Sequence, residues 1–319
     1  MAAPCAFLAV SARGLHTPAA GKGIVLPEAR AKPSTPAEAF AYCRRITLHH
    51  YENFTVASWL LPRETRRHIY AVYAFCRHTD DLGDEAPGDR LQLLDEWESD
   101  LRRCYDSTPD HPILIALQIS IRRFRIPAEP FLKLIEANRM DQRVQRYATF
   151  ADLLHYCDHS ANPVGHMVLH LFGYSDAERQ RLSDATCTAL QLTNFWQDVA
   201  VDLAKGRVYI PQEDMQRFGY SEGGLEQAMV TPAFCGLMAF EIARTREMFD
   251  EGMKLLRVVD GRFNVALRLF SMGGLTVLRA IERTNYDVFR RRPQLSRWQM
   301  AALFLRACLP GAASTPGSR

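Results

Sequence analysis

The chain has 319 residues, of which 47% are hydrophobic and 24% are charged. This composition is typical of a folded globular protein and excludes a disordered chain. The net charge is +3, and residues 1–35 carry all of it, because four basic side chains there stand against Glu28 alone. The remaining residues have balanced charge and so show no electrostatic footprint for nucleic acid, which we exclude as a partner.

The eight cysteines are widely spaced and include no Cys-x-x-Cys pair. This pattern predicts reduced, mostly buried thiols in a cytoplasmic protein rather than disulfides or a zinc site. No apolar run approaches the ~18 residues of a membrane span. The apolar stretch 2–10 has no basic segment before it, so we expect no secretory signal, and residues 1–36 are predicted to be a disordered tail or a targeting segment.

Helical periodicity runs through almost all of the chain, and no alternating strand-like segment accompanies it; residues 208–210 are too short to count. Thr35 as N-cap, Pro36 as first helical residue and Glu38 predict the first helix start. The expected helices lie at about 36–52, 63–84, 88–106, 112–124, 129–142, 149–161, 175–202, 233–257, 261–291 and from 296 onward. We therefore predict a single all-α domain over 37–309 with packed antiparallel helices, followed by a disordered tail at 310–319.

Two of the predicted helices carry a stripe of polar side chains. At ~100° per residue, the stripe on the first spans about 60° and that on the second about 80°. The first stripe consists of Tyr73, Arg77, Asp80 and Asp84, and the second of Gln191, Asn194, Asp198 and Asp202. Each helix thus presents a ladder of oxygen atoms along one face.

These stripes have two interpretations. Charged runs are usually solvated helix faces. However, Asp80/Asp84 and Asp198/Asp202 are like charges at i,i+4, which are mildly destabilising unless a cation lies between them. Aromatic residues also crowd both stripes. Because carboxylate and amide oxygens suit Mg²⁺, which typically keeps one or two carboxylates plus substrate phosphates, the spacing favours a metal–diphosphate site.

The same residues carry a resemblance to a known family. The segment 80–84 resembles the first aspartate-rich motif of the enzymes that join two prenyl tails head to head, the squalene, phytoene and dehydrosqualene synthases. The pattern Asn194-x-x-x-Asp198-x-x-x-Asp202, followed by 205–211, resembles their second motif. The resemblance covers roughly residues 40–290. It implies an all-α isoprenoid synthase bundle around a central cavity, acting on a prenyl diphosphate with two or three Mg²⁺ ions.

Finer features at 50–54, 61–62, 156–157 and 160–165 resemble the hydroxysqualene synthase branch of bacterial hopanoid pathways. The resemblance implies that Asp80, Asp84, Asn194, Asp198 and Asp202 hold the metal. It also implies that the diphosphate or the prenyl chains are contacted by His50, Tyr51, Glu52, Asn53, Phe54, Tyr73, Arg77, Gln191, Asn194, Lys205 and Arg207. Two positions depart from the branch, His159 and His166; we expect His159 to line the substrate, with either histidine a candidate to accept the proton of a capturing water.

Three other features keep open interpretations. The pairs His155/His159 and His166/His170 have metal-ligand spacing, but no Glu-x-x-His accompanies them, so partly buried or substrate-lining histidines are favoured. The run 290–292 could contact phosphate, although a solvated helix end is favoured. No nucleotide-binding motif occurs, and we expect no NADPH requirement.

The leading hypothesis is Mg²⁺-dependent conversion of presqualene diphosphate to hydroxysqualene with release of diphosphate. The alternatives are a presqualene diphosphate or squalene synthase that condenses two farnesyl diphosphates, and, from a different class, a non-catalytic assembly factor with the same fold. We further expect a soluble protein with loose membrane-surface contact through the amphipathic segment 298–309, and contact with neighbouring pathway enzymes.

Overall fold

The computed structural model describes residues 35–50 and 63–308, which form an all-helical fold. The α-helices in this part are α1 (Pro36–His50), α2 (Arg63–Asp84), α3 (Arg90–Asp106), α4 (Pro112–Phe124), α5 (Glu129–Met140), α6 (Phe150–Ser160), α7 (Asn162–Leu171), α8 (Ala177–Gln197), α9 (Val199–Leu203), α10 (Gln212–Arg217), α11 (Glu222–Glu226), α12 (Pro232–Gly252), α13 (Gly261–Arg283) and α14 (Arg297–Cys308). A 3₁₀-helix at Met253–Arg257 follows α12. The prediction of an all-α fold is confirmed.

Two long helices, α2 and α8, each form the centre of a group of helices. Helix α2 packs against α1, α3, α4 and α5, and α8 packs against α6, α7, α12 and α13. Helix α7 contacts both central helices and joins the two groups. Both central helices are mostly buried, and the aspartates of the two motifs lie at their carboxyl-terminal ends.

Local sequence signals position several of these helices. Thr149 and Asp152 form a reciprocal capping box at the start of α6, as their spacing predicted. Helix α6 ends at Ser160, before the Asn162-Pro163 pair, as the sequence predicts, and Pro163 occupies the first turn of α7, where its missing N–H costs no hydrogen bond. The chain therefore changes direction at Ala161 and continues as a second helix.

Two predicted helix ends were wrong. The helix expected to run from 175 to 202 begins after the N-cap Asp176 and is interrupted at Asp198, whose φ of −105° and ψ of 15° leave the helical region. The helix expected over 261–291 ends at Arg283, because Asn285 and Tyr286 adopt the left-handed conformation with φ of 52° and 62°. Asparagine tolerates this conformation at helix ends better than most residues.

The segment after α9, read from sequence as too short to matter, makes the one isolated β-bridge of the described residues. Arg146 and Val208 pair in parallel. The backbone N–H of Val208 donates to the carbonyl of Gln145 at 2.9 Å, and that of Gln212 donates to Tyr147 at 2.9 Å. These bonds fix the loop that follows the second aspartate motif against the loop that follows α5.

Helix α13 is long and apolar enough to cross a membrane by composition, but 56% of its most apolar window is buried within the fold. A core helix of this kind passes the same test, so the finding is weak evidence for a span. Of the cysteines in the described part, five are buried free thiols and Cys235 is partly exposed. Burial raises the pKa of four of the buried thiols, to about 12 for Cys104; the other three are Cys43, Cys157 and Cys187.

Candidate active site

The first aspartate motif occupies the last turns of α2. Tyr73 is fully buried, and Arg77 and Asp80 are 5% and 6% exposed. Arg77 forms an ion pair with Asp81 and donates to Glu85 at 3.2 Å. Burial raises the pKa of Asp81 to about 6, while Arg77 opposes that rise. This helix end therefore concentrates negative charge in a largely water-excluded place.

The second motif lies where α8 gives way to α9. Asp198 is the residue between the two helices, and Asp202 lies one turn further, 2% exposed. Burial raises the pKa of Asp202 to about 7, and the nearby Asp198 adds to the rise. A buried carboxyl group with a raised pKa favours a cationic partner, because the charged form is desolvated.

The two motifs meet through the loop that follows α9. Arg207 donates from Nη2 to Asp84 Oδ1 at 2.9 Å, although the two residues are 123 positions apart in the sequence. Lys205 Nζ lies 3.8 Å from the second carboxylate oxygen of Asp84. Both side chains of the Arg207–Asp84 pair are nearly buried, at 10% and 13% exposure. The arrangement joins two carboxylate-rich helix ends with cationic side chains between them.

A buried cluster of tyrosines around one carboxylate lies beside this junction. Tyr156 donates from its hydroxyl to Asp141 Oδ2 at 3.0 Å. The rings of Tyr147 and Tyr209 stack at 5.6 Å, and Tyr209 also stacks on Phe195 at 3.9 Å. Burial raises the pKa of Asp141 to about 7, and Arg207 opposes the rise.

Sequence reasoning did not assign roles to Asp141 or Tyr209. The available signals were an aspartate at the end of a predicted helix and a tyrosine in the segment after the second motif.

Asp198 is held by an arginine from far along the chain. Arg292 donates through Nε to Asp198 Oδ1 and through Nη2 to Oδ2, the latter at 2.8 Å. Its Nη2 also lies 3.3 Å from Gln197 Oε1, and the amide nitrogen of Gln197 donates to the carbonyl of Pro293. The sequence favours a solvated helix end for 290–292, and this prediction is wrong for Arg292, which is part of the site. The side chain of Arg290 is 90% exposed, as predicted.

Gln191 and Asn194 lie on α8 above Asp198. Gln191 is fully buried, and within the described part of the chain neither its amide nitrogen nor its carbonyl oxygen has a hydrogen-bond partner. A buried polar group left unsatisfied costs about 1–3 kcal/mol, which a bound ligand would recover. The structure therefore gives Gln191 a feature expected of a ligand contact.

Other predicted site residues lie elsewhere or cannot be placed. The side chain of His50 and residues 51–54 lie outside the described residues. The ring of His159 packs against His155 at 4.6 Å and lies 3.8 Å from Asp158, all on α6. His166 Nε2 is 2.7 Å from Asp184, which lies 14 residues before Asp198 on α8, or ~21 Å along the helix axis. The contacts of His159 are thus within its own helix, and His166 pairs with a residue ~21 Å from Asp198 along α8.

The donor chemistry of the junction fits Mg²⁺. The candidate ligands Asp80, Asp84, Asn194, Asp198 and Asp202 offer oxygen atoms, with no thiolate or imidazole among them, as a hard cation prefers. Within 35–50 and 63–308, however, no three His, Cys, Asp or Glu side chains form a ready-made metal centre. Asp84 and Asp198 are instead paired with Arg207 and Arg292. Metal binding would require these carboxylates to exchange partners.

The fold and this junction together define an all-α isoprenoid synthase. The structure superimposes on that of the squalene synthase HpnC from Alicyclobacillus acidocaldarius with a TM-score of 0.77 and 47% identity, over 80% of this chain and 97% of the other. It superimposes on a dehydrosqualene synthase in complex with ligand with a TM-score of 0.79 and 26% identity, over 85% and 96% of the two chains.

Residues 47–299 match the family model of squalene/phytoene synthase, and the chain belongs to this family. Its relatives include the 15-cis-phytoene synthase of Synechococcus elongatus, which is 33% identical over 82% of this chain and 90% of the relative. The resemblance found in the motifs is confirmed at the level of the family, whose members act on prenyl diphosphates in head-to-head condensation.

Proposed function

We propose that this protein converts presqualene diphosphate to hydroxysqualene and releases diphosphate, as a step of squalene and hopanoid biosynthesis. The observation that carries the proposal is the meeting of both aspartate motifs at the Arg207–Asp84 pair. The branch within the family is supported by the greater identity to the squalene synthase HpnC, 47%, than to the phytoene synthases, of which one is 33% identical.

The basic side chains at the junction would bind the leaving diphosphate. Arg77, Lys205, Arg207 and Arg292 all pair with carboxylates there, and three of these four side chains are no more than 23% exposed. Guanidinium groups match the geometry of phosphate oxygens through two parallel hydrogen bonds. When the carboxylates take a different cation, these groups become available to the diphosphate.

When bound by Asp80, Asp84, Asn194, Asp198 and Asp202, Mg²⁺ supplies positive charge that stabilises the departing diphosphate. The C–O bond to the diphosphate breaks with its electron pair, and the carbocation that remains rearranges. Water adds to the cation and loses a proton, so that an alcohol forms without any reductant.

The chain must also tolerate a carbocation without quenching it early. Tyr73 on α2 and Phe195 on α8 are buried aromatic residues that could stabilise a cation through their ring faces. The neighbouring Trp196 donates from its indole N–H to Thr245 at 2.8 Å and therefore lies on the face of α8 that packs against α12. We assign the role to Tyr73 and Phe195.

A product analysis tests the proposal. Purified protein is incubated with presqualene diphosphate and Mg²⁺ in H₂¹⁸O, with and without NADPH. We expect a C30 alcohol carrying ¹⁸O in both reactions. Squalene formed only with NADPH would overturn the proposal in favour of a reductive squalene synthase.

A second candidate is supported by the phytoene synthases among the relatives. In this case the chain would condense two prenyl diphosphates, and presqualene diphosphate added to the reaction would not be converted. Incubation with farnesyl diphosphate and, separately, its C20 homologue would reveal a condensation product. An assembly factor of the same fold would release no diphosphate from any of these substrates, so a diphosphate-release assay separates the two classes.

A further inference from the structure

Helix α14 presents an unusual surface. Trp298 and Leu305 are 87% and 65% exposed, the two largest values among the exposed large hydrophobic side chains of the described residues. Ala301 and Ala302 between them are also exposed. At ~100° per residue these four side chains form one stripe about 100° wide. We name this set, Trp298, Ala301, Ala302 and Leu305, the outer stripe.

The outer stripe is not needed for the fold. The opposite side of α14 carries Leu303 and Ala307, which are 7% and 1% exposed, and the helix packs against α13. The helix is thus apolar on two sides, one buried and one in water. Because exposed apolar surface of this kind is unfavourable in water, a contiguous stripe marks an interaction surface.

The charge around the stripe selects the occupant. Residues 288–319 contain six arginines and no lysine, aspartate or glutamate. Arg306 on α14 is exposed, and Arg290 and Arg291 are exposed just before the helix. Arg290 pairs with Asp287 at 3.4 Å, but no acidic residue follows Asp287 in the sequence. Apolar residues near the exposed Arg291 and Arg306 complement a surface that is apolar inside and anionic outside.

Other occupants are electrostatically unfavourable. A second copy docking through the same stripe would bring two arginine-rich segments together. The segment 1–34 of this chain is also basic, with four cationic side chains against Glu28 alone, so it offers no complementary charge. A membrane span is excluded for α14 itself, since its 12 residues cover ~18 Å and a bilayer core is ~30 Å thick.

We propose that the outer stripe of α14 docks this protein on the surface of an anionic lipid bilayer. Trp298 and Leu305 insert into the boundary between headgroups and acyl chains, and Arg291 and Arg306 contact the anionic headgroups. The binding does not depend on which head-to-head reaction the protein catalyses.

The position of α14 links this surface to the candidate active site. Trp298 follows Arg292 by six residues, so their Cα atoms are at most ~22 Å apart even if the connection is fully extended. Arg292 binds Asp198 of the second motif. Docking through α14 therefore brings the site near the lipid surface. This last step rests on the proposed function, because it gives an apolar C30 product a short path into the bilayer.

Vesicle flotation tests the proposal. The full chain is mixed with vesicles of phosphatidylcholine alone or of phosphatidylcholine with phosphatidylglycerol, without substrate or Mg²⁺. We expect flotation with the anionic vesicles, together with a blue shift of tryptophan emission as Trp298 leaves water. The double variant Trp298→Glu/Leu305→Glu should bind at least ~10-fold more weakly, because it places two anionic groups where apolar contact is required.

Matched variants make the result specific. Met229→Glu places one glutamate at an exposed apolar residue outside the outer stripe, 42% exposed, and should bind as the native chain does, whereas the single variant Trp298→Glu should bind more weakly. Arg291→Gln/Arg306→Gln should lose the preference for anionic vesicles. All variants are checked for native melting temperature, since the altered side chains are exposed.

Three outcomes would overturn the proposal. In the first, the native chain does not float with either vesicle type. In the second, Trp298→Glu/Leu305→Glu floats as well as the native chain. In the third, the native chain forms a dimer that the double variant abolishes, with no vesicle binding. None of these outcomes bears on turnover, so failure here is distinct from failure of the proposed function.

Discussion

Replacing Asp198 by asparagine tests the pairing that the structure shows at the second motif. Asp198 accepts two hydrogen bonds from the guanidinium of Arg292, and the two side chains are 8% and 23% exposed. Sequence reasoning alone predicts that loss of this charge relieves repulsion with Asp202, a gain of about 0.2–0.5 kcal/mol. The structure predicts the opposite sign, because hydrogen bonds to charged groups contribute about 1.5–3 kcal/mol.

Loss of the hydrogen bonds from Arg292 is the larger of the two effects, so the substitution should lower the free energy of unfolding. After allowance for partial exposure of Arg292, we expect the Asp198→Asn variant to lose about 2 kcal/mol of unfolding free energy. For a protein of this size, that loss lowers the melting temperature by roughly 4 °C. The measurement is urea and thermal unfolding in EDTA, so that no divalent cation takes the place of Arg292.

A double-mutant cycle with Arg292→Gln isolates the pair. The two single losses should not add, and their coupling should be about 1–3 kcal/mol. Arg290→Gln is the control, since its side chain is 90% exposed and its loss should change stability by less than about 0.5 kcal/mol. An unchanged or raised stability of Asp198→Asn, or strict additivity in the cycle, would refute the pairing.

Three further predictions concern other parts of the molecule. Arg207→Gln should reduce Mg²⁺-dependent diphosphate release by about 10²–10³-fold, because it removes a preorganised charge from the site. Circular dichroism should show that the fold is retained, and near-native release would contradict a role of Arg207 in binding the diphosphate. Burial holds the pKa of Asp141 near 7, so the folded state keeps a proton that the unfolded state releases above pH 4. The free energy of unfolding should therefore fall by about 1–3 kcal/mol from pH 4 to pH 7. In urea unfolding, Asp141→Asn should flatten this decline, and an identical slope in both proteins would contradict the prediction. Gly252→Ala should cost about 1–3 kcal/mol of unfolding free energy, because a Cβ there would lie 2.7 Å from the backbone nitrogen of Thr186, whereas Gly223→Ala, whose Cβ would meet only Ser221 at 3.8 Å, should have little effect.

The sequence predicts features that depend on neighbours along the chain. The capping box of Thr149 and Asp152 and the contact of the Thr35 hydroxyl with the backbone of Glu38 are local, and the structure contains both. The first motif could be assigned to one face of α2 for the same reason, because helical geometry fixes which residues share a face.

Features that depend on distant residues could not be predicted in the same way. The interruption at Asp198 accompanies its pairing with Arg292, 94 residues later. The ring of Tyr209 and the carboxylate of Asp141 come together only because the loop after α9 is bonded to the loop after α5. No periodicity within either segment encodes that contact. The sequence therefore predicts which helices carry the charges, and the tertiary structure determines which charges meet.

The pairings found at the junction explain how Asp84 and Asp198 can lie at two buried helix ends. Unpaired carboxylates in such a place would carry a desolvation cost that exceeds the cost of mild like-charge repulsion. Arg207 satisfies Asp84, and Arg292 satisfies Asp198, without either arginine being adjacent to its partner in the sequence. A guanidinium can serve both as the partner of a carboxylate and as a ligand for a phosphate, because both anions accept its parallel N–H groups. The same side chains can therefore stabilise the site before the substrate binds and hold the diphosphate after it binds, provided that the carboxylates accept another cation in exchange. This is why the loss of Asp198 should weaken the protein without metal as well as its turnover with metal.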